Sequence, residues 1–554
     1  MGVAANNPDL AIQARQKESQ FAGYERRSRF LLYREYTLRL TYFFVMLFLE
    51  ERKLREYSIG ARRASMEYTD VVVIGAGVLG CFAARALRRS ALSVLVLEAG
   101  EDVCTGITKA NTGIIYTGCD TKPGTLQTEL CVRANLDFER LCAELDVRFH
   151  RCGSLMLAFG PRAEAVLRQK LENGRTNGVP GIRLMSREET LAMEPRLSPE
   201  VTMSLYAPGT GTVNPWELGI AAFENARSNG AVFRFPEEVM RMTRTTKGYL
   251  LETSAGQYAA RAVVNCAGLN AAAVRELTKI PAVRIFPSAG DYLVLDDTAA
   301  GFVRHVISHE AEKKGKGLTL TPTVDGNLLV GPTERDRGTS PDGATNGEAL
   351  KELVNLCAKV VPELALEQTI HSFSALRPNP FHVHKENGVW VPENRSISNF
   401  TITAEDGLFS LVGIKTPGLT CAAELGKWVA KAVCAYLGDP GPNPDFNPIR
   451  KGIPRVHDLS EEERDRLIKT DADFGEVICH CRDVTRGEIL EAIRRGASTL
   501  DGVKRRTGAG MGRCQGGRCI LPVLEALAAE KGLQPTKVTK SGGESYVVTD
   551  DGRI

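Results

Sequence analysis

The sequence predicts an α/β protein of several domains, in which a strand–helix domain is joined to an antiparallel-sheet domain and to a small helical C-terminal domain. Three observations predict this arrangement. A glycine-rich turn follows an apolar run at residues 71–80, short strand-like segments broken by Pro and Gly fill residues 282–331, and two close pairs of cysteines follow a Pro/Gly-rich segment at 438–453. The length of 554 residues agrees with about three or four domains.

The charge and cysteine content narrow the class of protein. A formal net charge of +3, from 70 basic and 67 acidic residues, shows no basic surplus, and we expect no nucleic-acid partner. Ten of the 14 cysteines are scattered without regular spacing, for example Cys81, Cys131, Cys266 and Cys434. Such cysteines are typical of small buried side chains in a reducing compartment, so we expect a cytoplasmic protein without a disulfide framework.

Residues 1–65 differ in composition from the rest of the chain. They are rich in Arg, Tyr, Phe and Glu, and their one apolar run, Leu40–Leu49, is ten residues long. A membrane-spanning helix needs roughly 20 apolar residues, so no transmembrane span is expected. Because Met66 stands just before the first predicted strand, we interpret this segment as an extension of uncertain role, with a peripheral amphipathic helix as the alternative.

The first predicted unit is a strand, a glycine turn and a helix. The apolar run Val71–Ile74 leads into Gly75, Gly77 and Gly80, spaced as Gly-x-Gly-x-x-Gly. In this pattern the glycines permit a tight turn, the approach of a pyrophosphate to the backbone and close packing of helix on strand. A second apolar run ends on Glu98, eighteen residues beyond Gly80, where an acid can accept a hydrogen bond from a ribose hydroxyl. We therefore predict a Rossmann-like domain that binds a dinucleotide.

Two further stretches are predicted to lie near the same ligand. The polar loop Thr108–Tyr116 follows the acidic residue, and a predicted helix at Leu126–Leu145 comes after it. Leu408–Gly413 is predicted to be a buried strand, followed by a turn at Ile414–Thr420 and a helix to about Leu437. A second unit of strand, glycine turn and helix can present another helix N-terminus to a dinucleotide.

The middle of the chain is predicted to form a second domain. Ser154–Phe159 and Met203–Tyr206 are short strand-like runs, and Pro215 begins a predicted helix. The run Val263–Gly268 is predicted to be a buried strand that returns to the first sheet. The later strand-like runs, up to Val330, are interrupted by Pro and Gly, which is typical of antiparallel sheets.

Four cysteines near the C-terminus form two close pairs, Cys479 with Cys481 and Cys514 with Cys519. Four thiolates can hold either a zinc ion or an iron–sulfur cluster. The C-x-C and C-x4-C spacings differ from the C-x2-C pairs of most structural zinc sites, and the glycines around the second pair suit a loop whose N–H groups point at sulfur. We favour an iron–sulfur cluster, with zinc or four free thiols as the alternative.

Several of these segments carry a resemblance to a known family. Residues 66–437 resemble the FAD-dependent glycerol-3-phosphate dehydrogenase and oxidase group of the D-amino-acid-oxidase-like superfamily. Residues 474–525 resemble the bacterioferritin-associated-ferredoxin-like [2Fe–2S] domain, which is fused in this order in the large subunit of the anaerobic dehydrogenases of the group. The segments that carry the first match are Val73–Gly80, Lys109–Gly113, Asp120–Thr125, Gly317–Pro332, Ala375–Pro378 and Val412–Thr420.

This resemblance implies two cofactors, FAD and a [2Fe–2S] cluster. The residues that it assigns to FAD are Gly75, Gly77, Val78, Leu79, Gly80, Glu98, Thr108, Asn111, Gly113, Gly268, Gly413, Gly418, Leu419 and Thr420. It assigns the cluster to the two cysteine pairs, Cys479, Cys481, Cys514 and Cys519.

The resemblance also implies a substrate site at the flavin. Arg377 matches the family's anion-binding arginine, Lys316 matches a lysine near the substrate, and Lys415 and Thr416 lie in the turn over the flavin. Tyr116 stands where oxidase-like members commonly have a histidine that is favoured as the catalytic base. A tyrosine, with a pKa of about 10, is a poor base at neutral pH. The base is therefore open between a lysine, a histidine of the second domain and water.

Three functions are consistent with these residues. The resemblance first implies a dehydrogenase that oxidises a small anionic alcohol, with glycerol 3-phosphate foremost, and passes electrons through FAD and the cluster to a partner. That partner is expected to be a second flavoprotein or a quinone-linked subunit, through which any membrane association would arise. A 2-hydroxy acid, amine or opine oxidoreductase is the second function. A non-catalytic electron-transfer subunit is the third, favoured by Tyr116 and opposed by the presence of Arg377 and Lys415.

The domain boundaries follow from these assignments. We expect an extension at 1–65, the oxidoreductase at 66–437, a linker at 438–470, the [2Fe–2S] domain at 471–530 and a tail at 531–554. Within the oxidoreductase, the FAD-binding parts are expected at 66–150, 205–275 and 400–437, and the antiparallel substrate domain at 151–204 and 276–399.

Overall fold

The computed structural model describes residues 66–278, 283–310, 317–336 and 344–549. Our expectations for the extension at 1–65 and for Lys316 lie outside the described residues. Within the described ranges, every helix falls short of the length and apolar content needed to cross a bilayer.

The described chain contains the helices that the sequence predicts near residues 81–87, 126–145, 215–227 and 420–437, together with further helices. Their bounds are α1 (Val78–Leu87), α2 (Leu126–Leu145), α3 (Pro161–Thr176), α4 (Arg187–Met193), α5 (Pro215–Ser228), α6 (Ala271–Glu276), α7 (Gly347–Val360), α8 (Gly418–Leu437), α9 (Glu461–Thr470), α10 (Arg486–Arg494), α11 (Leu500–Thr507) and α12 (Ile520–Lys531). The prediction for Leu126–Leu145 is confirmed at both ends. Its start is fixed by Thr125, whose side chain accepts a hydrogen bond from the Thr128 N–H.

The strands follow the predicted pattern of short runs between turn residues. Their bounds are β1 (Glu67–Ile74), β2 (Val94–Leu97), β3 (Ile114–Ile115), β4 (Phe149–His150), β5 (Ser154–Ala158), β6 (Arg183–Ser186), β7 (Met203–Ala207), β8 (Gly211–Val213), β9 (Val232–Arg234), β10 (Val239–Thr245), β11 (Gly248–Thr253), β12 (Gln257–Asn265), β13 (Val283–Ile285), β14 (Ser288–Leu295), β15 (Val306–His309), β16 (Thr319–Pro322), β17 (Leu328–Val330), β18 (Arg335–Asp336), β19 (Thr369–Arg377), β20 (Pro380–Glu386), β21 (Val389–Pro392), β22 (Thr401–Glu405), β23 (Leu408–Val412), β24 (Val477–Cys479) and β25 (Val484–Thr485).

The first sheet has eight strands, in the order β10-β11-β12-β1-β2-β9, with β23 paired on β12 and β22 on β23. Strands β9, β2, β1, β12 and β23 are parallel. Val71, Val72 and Val73 are fully buried, as expected for a parallel strand covered on both faces. Helices α1 and α8 pack closely, because a Cβ on Gly426 would lie 2.6 Å from the carbonyl oxygen of Phe82. The predicted Rossmann-like fold is confirmed.

The second large sheet has nine strands, in the order β18-β14-β17-β16-β15-β5-β7-β6, with β19 paired on β14. Its pairs are antiparallel except for β15 with β5, so the predicted antiparallel character holds for most of the sheet. Leu155, Leu157 and Leu320 form its core with the apolar face of α7. The described chain also has two three-stranded sheets, β13-β20-β21 and β3-β8-β4.

The segment predicted to be a linker contains a helix and lies against the first domain. Helix α9 starts in a capping box formed by Ser460 and Glu463, and none of its residues is buried. Before it, the Arg450 guanidinium pairs with Glu224 at 2.8 Å, and both side chains are about nine-tenths buried. This contact fixes the linker on α5.

The C-terminal domain, residues 471–549, has its own apolar core. Ile489, Val503 and Leu527 are fully buried within it, and Val538 packs against the same core, so the predicted tail contributes to the domain. The domain meets the first domain at Asp102, whose carboxylate accepts hydrogen bonds from Arg505 and Arg506. Burial acts to raise the pKa of Asp102, but the charges and hydrogen bonds of Arg506 and Arg505 together outweigh it and hold that pKa below its usual range.

We expect Asp102→Asn to weaken the contact between the two domains. The side chains of Asp102, Arg505 and Arg506 are 3%, 9% and 1% exposed, so the amide would leave two buried guanidinium groups without a counterion. Breaking a buried ion pair typically costs about 3–5 kcal/mol. Thermal unfolding and limited proteolysis in the 438–470 segment would measure the loss of stability.

Glu530→Gln is the matched control for this prediction. It breaks the Arg494–Glu530 pair of the same domain, whose side chains are 49% and 30% exposed, and the expected loss is below about 1 kcal/mol. Equal effects of the two substitutions would contradict the role assigned to Asp102.

Candidate active site and cofactor sites

The glycine turn after β1 has the geometry of a phosphate-binding turn. Gly75 has φ +96°, and a Cβ there would lie 2.7 Å from the carbonyl oxygen of Cys266. A Cβ on Gly80 would lie 1.9 Å from the carbonyl oxygen of Gly75, so no side chain fits at either position. Gly77 caps α1 without a side-chain hydrogen bond, which leaves N–H groups of the first turn, including those of Leu79 and Gly80, available to an anion.

Glu98 and Thr108 lie beside this turn. The Glu98 carboxylate accepts hydrogen bonds from the N–H groups of Ala76 at 2.6 Å and Gly100 at 2.7 Å, which fixes it at the end of β2. A carboxylate has about four acceptor positions, so it can still accept from a ribose hydroxyl. Thr108 Oγ1 accepts from the Val78 N–H at 3.1 Å, at the start of α1.

A second helix starts at the same edge of the sheet. Because β1 and β23 are both parallel to β12, α1 and α8 begin at the carboxyl ends of neighbouring strands. Pro417 caps α8 without a side-chain hydrogen bond. The Gly418 N–H donates to the Lys415 carbonyl at 2.7 Å, and within the described chain the N–H groups of Leu419 and Thr420 remain available to a ligand. Thr420 Oγ1 accepts from the Tyr116 N–H at 3.0 Å, which ties α8 to the loop Thr108–Tyr116.

The remaining residues assigned to FAD shape the backbone around this edge. Asn111 closes the loop, because its Oδ1 accepts from the Gly113 N–H and its Nδ2 donates to the Thr108 carbonyl, both at 2.8 Å. Gly268 and Gly413 have positive φ values of +59° and +65°, and a Cβ on Gly413 would lie 2.6 Å from the Pro380 Cβ. Two uncapped helix N-termini, a carboxylate at the ribose position and a glycine-lined backbone fit a bound FAD.

Arg377 lies at the end of β19 with part of its guanidinium unpartnered. Its Nη2 donates to the Thr333 carbonyl at 3.1 Å, and its Nη1 makes no hydrogen bond within the described chain, although Glu334 is 3.6 Å away. The side chain is 16% exposed. A guanidinium with a free N–H edge in a partly buried position can bind a phosphate or a carboxylate.

The strand segment beside Arg377 is held by a buried carboxylate that sequence reasoning missed and that no motif marks. Asp291 is fully buried and accepts two hydrogen bonds from Arg335, at 2.8 and 2.9 Å. It also accepts from the Thr333 hydroxyl, which positions the carbonyl that holds Arg377. The strand also approaches Arg377 closely at Gly290, where a Cβ would lie 2.5 Å from Arg377 Nη2.

Two tyrosines lie close to the charge of Arg377. Burial raises the pKa of Tyr116 far above its ordinary value, Tyr292 raises it further, and Arg377 lowers it by less. Burial also raises the pKa of Tyr292, whose hydroxyl accepts a hydrogen bond from Arg377 and whose ring stacks on Phe373 at 4.7 Å. Both hydroxyls are therefore neutral at physiological pH, so they can donate hydrogen bonds to a substrate but cannot serve as its base. Sequence reasoning missed Tyr292.

Lys415 lies in the turn before α8 and donates a hydrogen bond to Ser396 Oγ at 3.1 Å. Burial lowers the pKa of its ammonium group, and the charge of Glu334 opposes this effect. Thr416, the next residue, is exposed, and its carbonyl accepts from Gln127 Nε2 at 3.0 Å. Lys415 is thus a half-buried amine with an accessible basic form.

Three histidines of the second domain are engaged elsewhere. His305 Nδ1 is 2.7 Å from Glu194, which is 3% exposed, and His384 Nε2 is 2.8 Å from the exposed Glu386. His371 lines a separate cavity beside the C-terminal domain. Lys415, by contrast, shares the neighbour Glu334 with Arg377, which favours the lysine over these three histidines as the base.

The four C-terminal cysteines come together as two hydrogen-bonded pairs, Cys479 with Cys519 and Cys481 with Cys514. The Cys519 thiol and backbone N–H groups, among them that of Gly510, lower the pKa of the Cys479 thiol to about 6. Within the described chain, no three candidate ligands converge tightly enough for a single metal ion, whereas a [2Fe–2S] cluster takes two thiolates on each iron. The two pairs fit that cluster.

Comparisons with known proteins agree with this geometry. Residues 70–432 match the family model described as FAD dependent oxidoreductase, and residues 477–529 match the BFD-like [2Fe-2S] binding domain. A glycerol 3-phosphate dehydrogenase of Caloramator mitchellensis is 39% identical over 482 residues, which are 87% of this chain and 98% of that relative. A mitochondrial L-2-hydroxyglutarate dehydrogenase of Bos taurus is 31% identical over 290 residues, or 49% of this chain and 62% of that relative.

A solved structure has the same fold. The FAD-bound L-alpha-glycerophosphate oxidase of Mycoplasma pneumoniae covers 70% of this chain and 99% of its own length, with a TM-score of 0.62 and 24% identity. The two family matches give this chain an FAD-dependent oxidoreductase domain, which contains the glycine turn, and a [2Fe–2S]-binding domain, which contains the four cysteines. The chain belongs to the FAD-dependent oxidoreductase family, and it is an FAD enzyme that carries a BFD-like [2Fe–2S] domain for electron relay.

Proposed function

We propose that this enzyme oxidises glycerol 3-phosphate at its secondary alcohol and delivers the electrons to a redox partner. The observation that carries the proposal is Arg377 Nη1, which makes no hydrogen bond within the described chain and whose acidic neighbour, Glu334, is 3.6 Å away. The same partly buried region holds Tyr116, Tyr292 and Lys415. The relative that matches nearly the whole chain is a glycerol 3-phosphate dehydrogenase, which supports the same substrate.

Each residue of the site then has a distinct task. Arg377 binds the phosphate through charge-assisted hydrogen bonds, and the neutral hydroxyls of Tyr116 and Tyr292 donate to substrate oxygens. Lys415, in its basic form, accepts the proton of the reacting hydroxyl, and its contact with Ser396 orients it for this transfer. Bound FAD supplies the hydride acceptor, and the [2Fe–2S] cluster supplies a one-electron relay.

We expect kcat/KM to rise with pH through the pKa of Lys415. The reactive form is the neutral amine, so activity appears as the ammonium loses its proton, and burial places that step below the ordinary value of 10.5. Lys415→Met should remove this rise and lower kcat by roughly 10²–10⁴-fold, the range for loss of a general base. Steady-state rates across pH measure both effects. Lys431→Met, at an exposed position of α8, is the control and should behave like the wild type. If Lys415→Met kept the same rise of kcat/KM with pH, the role of Lys415 as the base would be refuted.

Oxidation of a 2-hydroxy acid is the second candidate function. It is favoured by the match to L-2-hydroxyglutarate dehydrogenase, and Arg377 would bind a carboxylate as readily as a phosphate. The two candidates differ in the anionic group and share the hydride donor, an alcohol carbon.

Anaerobic mixing of the FAD-loaded enzyme with candidate substrates tests the proposed function. We expect sn-glycerol 3-phosphate to bleach the flavin absorption band near-stoichiometrically, and L-2-hydroxyglutarate, amino acids and glycerol to leave it unchanged. Bleaching by a 2-hydroxy acid alone would establish the second candidate. An oxidised flavin with every compound would contradict both and would indicate a non-catalytic electron-transfer subunit.

We also propose a cytoplasmic location and a partner that accepts the electrons, either a second flavoprotein or a quinone-linked subunit. The 14 cysteines support a reducing compartment, because those of the described chain form no disulfide. The BFD-like domain supports an external acceptor, since a one-electron relay is useful only where electrons leave the flavin. Any contact with a membrane would then be made through the partner.

A further inference from the structure

A large cavity lies between the loop Thr108–Tyr116 and the C-terminal domain. Its volume is about 640 Å³. Its walls include Lys109–Thr112, Thr323–Asp325 and His371–Ser374 of the oxidoreductase, together with Lys504–Gly508 of the C-terminal domain. Its described lining shares Asn111 with the residues assigned to FAD, so the cavity adjoins that site. The lining contains neither the glycine turn after β1 nor Arg377, which separates the cavity from the phosphate end of the FAD site and from the proposed substrate site.

Two lysines of this cavity form no direct ion pair within the described chain, and the acid whose charge acts on both, Asp501, is itself paired with Lys540 at 2.9 Å. Within the described chain, neither Lys109 nor Lys504 makes an ion pair or a hydrogen bond through its ammonium group, although each is partly buried. Beside them, Arg505 and Arg506 pair with Asp102 through terminal nitrogens, but their Nε–H groups are buried without a partner. Partly buried cations without a direct ion pair favour the binding of an anion.

The rest of the lining is suited to a larger, partly apolar group. Trp216, Ile220, Leu329 and Phe373 contribute apolar and aromatic surface. Ser374 Oγ, a buried hydroxyl of the same wall, has no hydrogen-bond partner. The volume falls within the range of about 300–1,000 Å³ that is typical of small-molecule sites, and it far exceeds the space that an inorganic anion fills.

We propose that this cavity binds an aromatic mononucleotide, with its phosphate at Lys109 and Lys504 and its ring against the wall that contains Trp216 and Phe373. The site goes beyond the proposed oxidation of an alcohol and does not depend on its substrate. It lies between the loop near the flavin and Met511 and Gln515 of the cysteine-bearing segment, so its ligand would contact both cofactor regions.

Isothermal titration of the FAD-loaded holoenzyme tests the proposal, with AMP, FMN and orthophosphate as separate ligands. We expect AMP or FMN to bind once per chain, at least about tenfold more tightly than orthophosphate. Comparison of the AMP and FMN titrations shows which aromatic ring the cavity accepts. Lys504→Ala should weaken that binding by about tenfold or more, since a charge-assisted hydrogen bond is lost. Lys504→Arg should restore part of it, and Lys531→Ala, an exposed lysine of α12, should change nothing.

Trp216→Leu provides a second variant that keeps the charge of the site. It should weaken the nucleotide and leave orthophosphate unchanged, and FAD content and circular dichroism confirm that each variant is folded. The proposal is overturned if neither nucleotide binds, if orthophosphate binds as tightly as the nucleotides, or if folded Lys504→Ala and Trp216→Leu both bind like the wild type.

Discussion

Arg377→Ala is expected to lower kcat/KM for glycerol 3-phosphate by at least about 100-fold. Truncating one partner of a buried, charge-assisted contact typically costs about 2–5 kcal/mol, and 1.4 kcal/mol corresponds to a factor of ten. The guanidinium has a free N–H edge and a side chain that is only 16% exposed, so water replaces its contacts poorly. Steady-state kinetics with an artificial acceptor measures the loss.

The rate of a second variant, Arg377→Lys, and the FAD content of both variants test whether Arg377 binds the substrate anion. Arg377→Lys keeps the charge but loses the planar fork of donors, so we expect an intermediate rate. The enzyme should retain FAD in both variants, because Arg377 contacts the Thr333 strand and not the glycine turn. Arg241→Ala removes an arginine that is 70% exposed and serves as the control. Wild-type kcat/KM in Arg377→Ala would place the substrate anion elsewhere.

Cys514→Ser is expected to remove the cluster and to leave flavin chemistry intact. Each iron of a [2Fe–2S] cluster needs two thiolates, so the variant should hold far fewer than the about two irons per chain of the wild type. Substrate should still bleach the flavin, while turnover with the protein partner should fall to background. Iron analysis and anaerobic absorption spectra measure the two effects separately.

Cys434→Ser is the matched control for the cluster. Cys434 is also partly exposed, but it lies on α8 and contacts Ser90 at 3.2 Å, so its substitution should change neither iron content nor turnover. Stoichiometric zinc in place of iron, or full turnover by Cys514→Ser, would contradict the electron relay through this domain.

The parts of the fold that could be predicted are those in which short-range chemistry decides the structure. The glycine turn at Gly75–Gly80 is recognisable because its spacing follows a local geometry, in which a Cβ on Gly80 would lie 1.9 Å from the Gly75 carbonyl oxygen. The helix at Leu126–Leu145 was predicted at both ends, since its cap Thr125 and its apolar periodicity lie in the sequence itself. The close cysteine pairs likewise indicated a metal site from spacing alone.

The parts that could not be predicted depend on contacts between distant residues. Tyr292 and Asp291 lie in an ordinary strand, and their relation to Arg377 appears only when β14 pairs with β19. Asp102 looks like a polar loop residue, yet it carries the contact with Arg505 and Arg506, about 400 positions away. Helix α9 was hidden because its residues stay in solvent, so no apolar face marks it.

The most direct test of the proposed electron path is paramagnetic resonance on the FAD- and iron-loaded enzyme after anaerobic addition of sn-glycerol 3-phosphate. We predict the signal of a reduced [2Fe–2S] cluster, appearing after the flavin band bleaches, in the wild type and not in Cys514→Ser. A wild-type enzyme whose flavin bleaches while its cluster stays oxidised, although dithionite reduces that cluster, would contradict the path from substrate through FAD to the C-terminal domain.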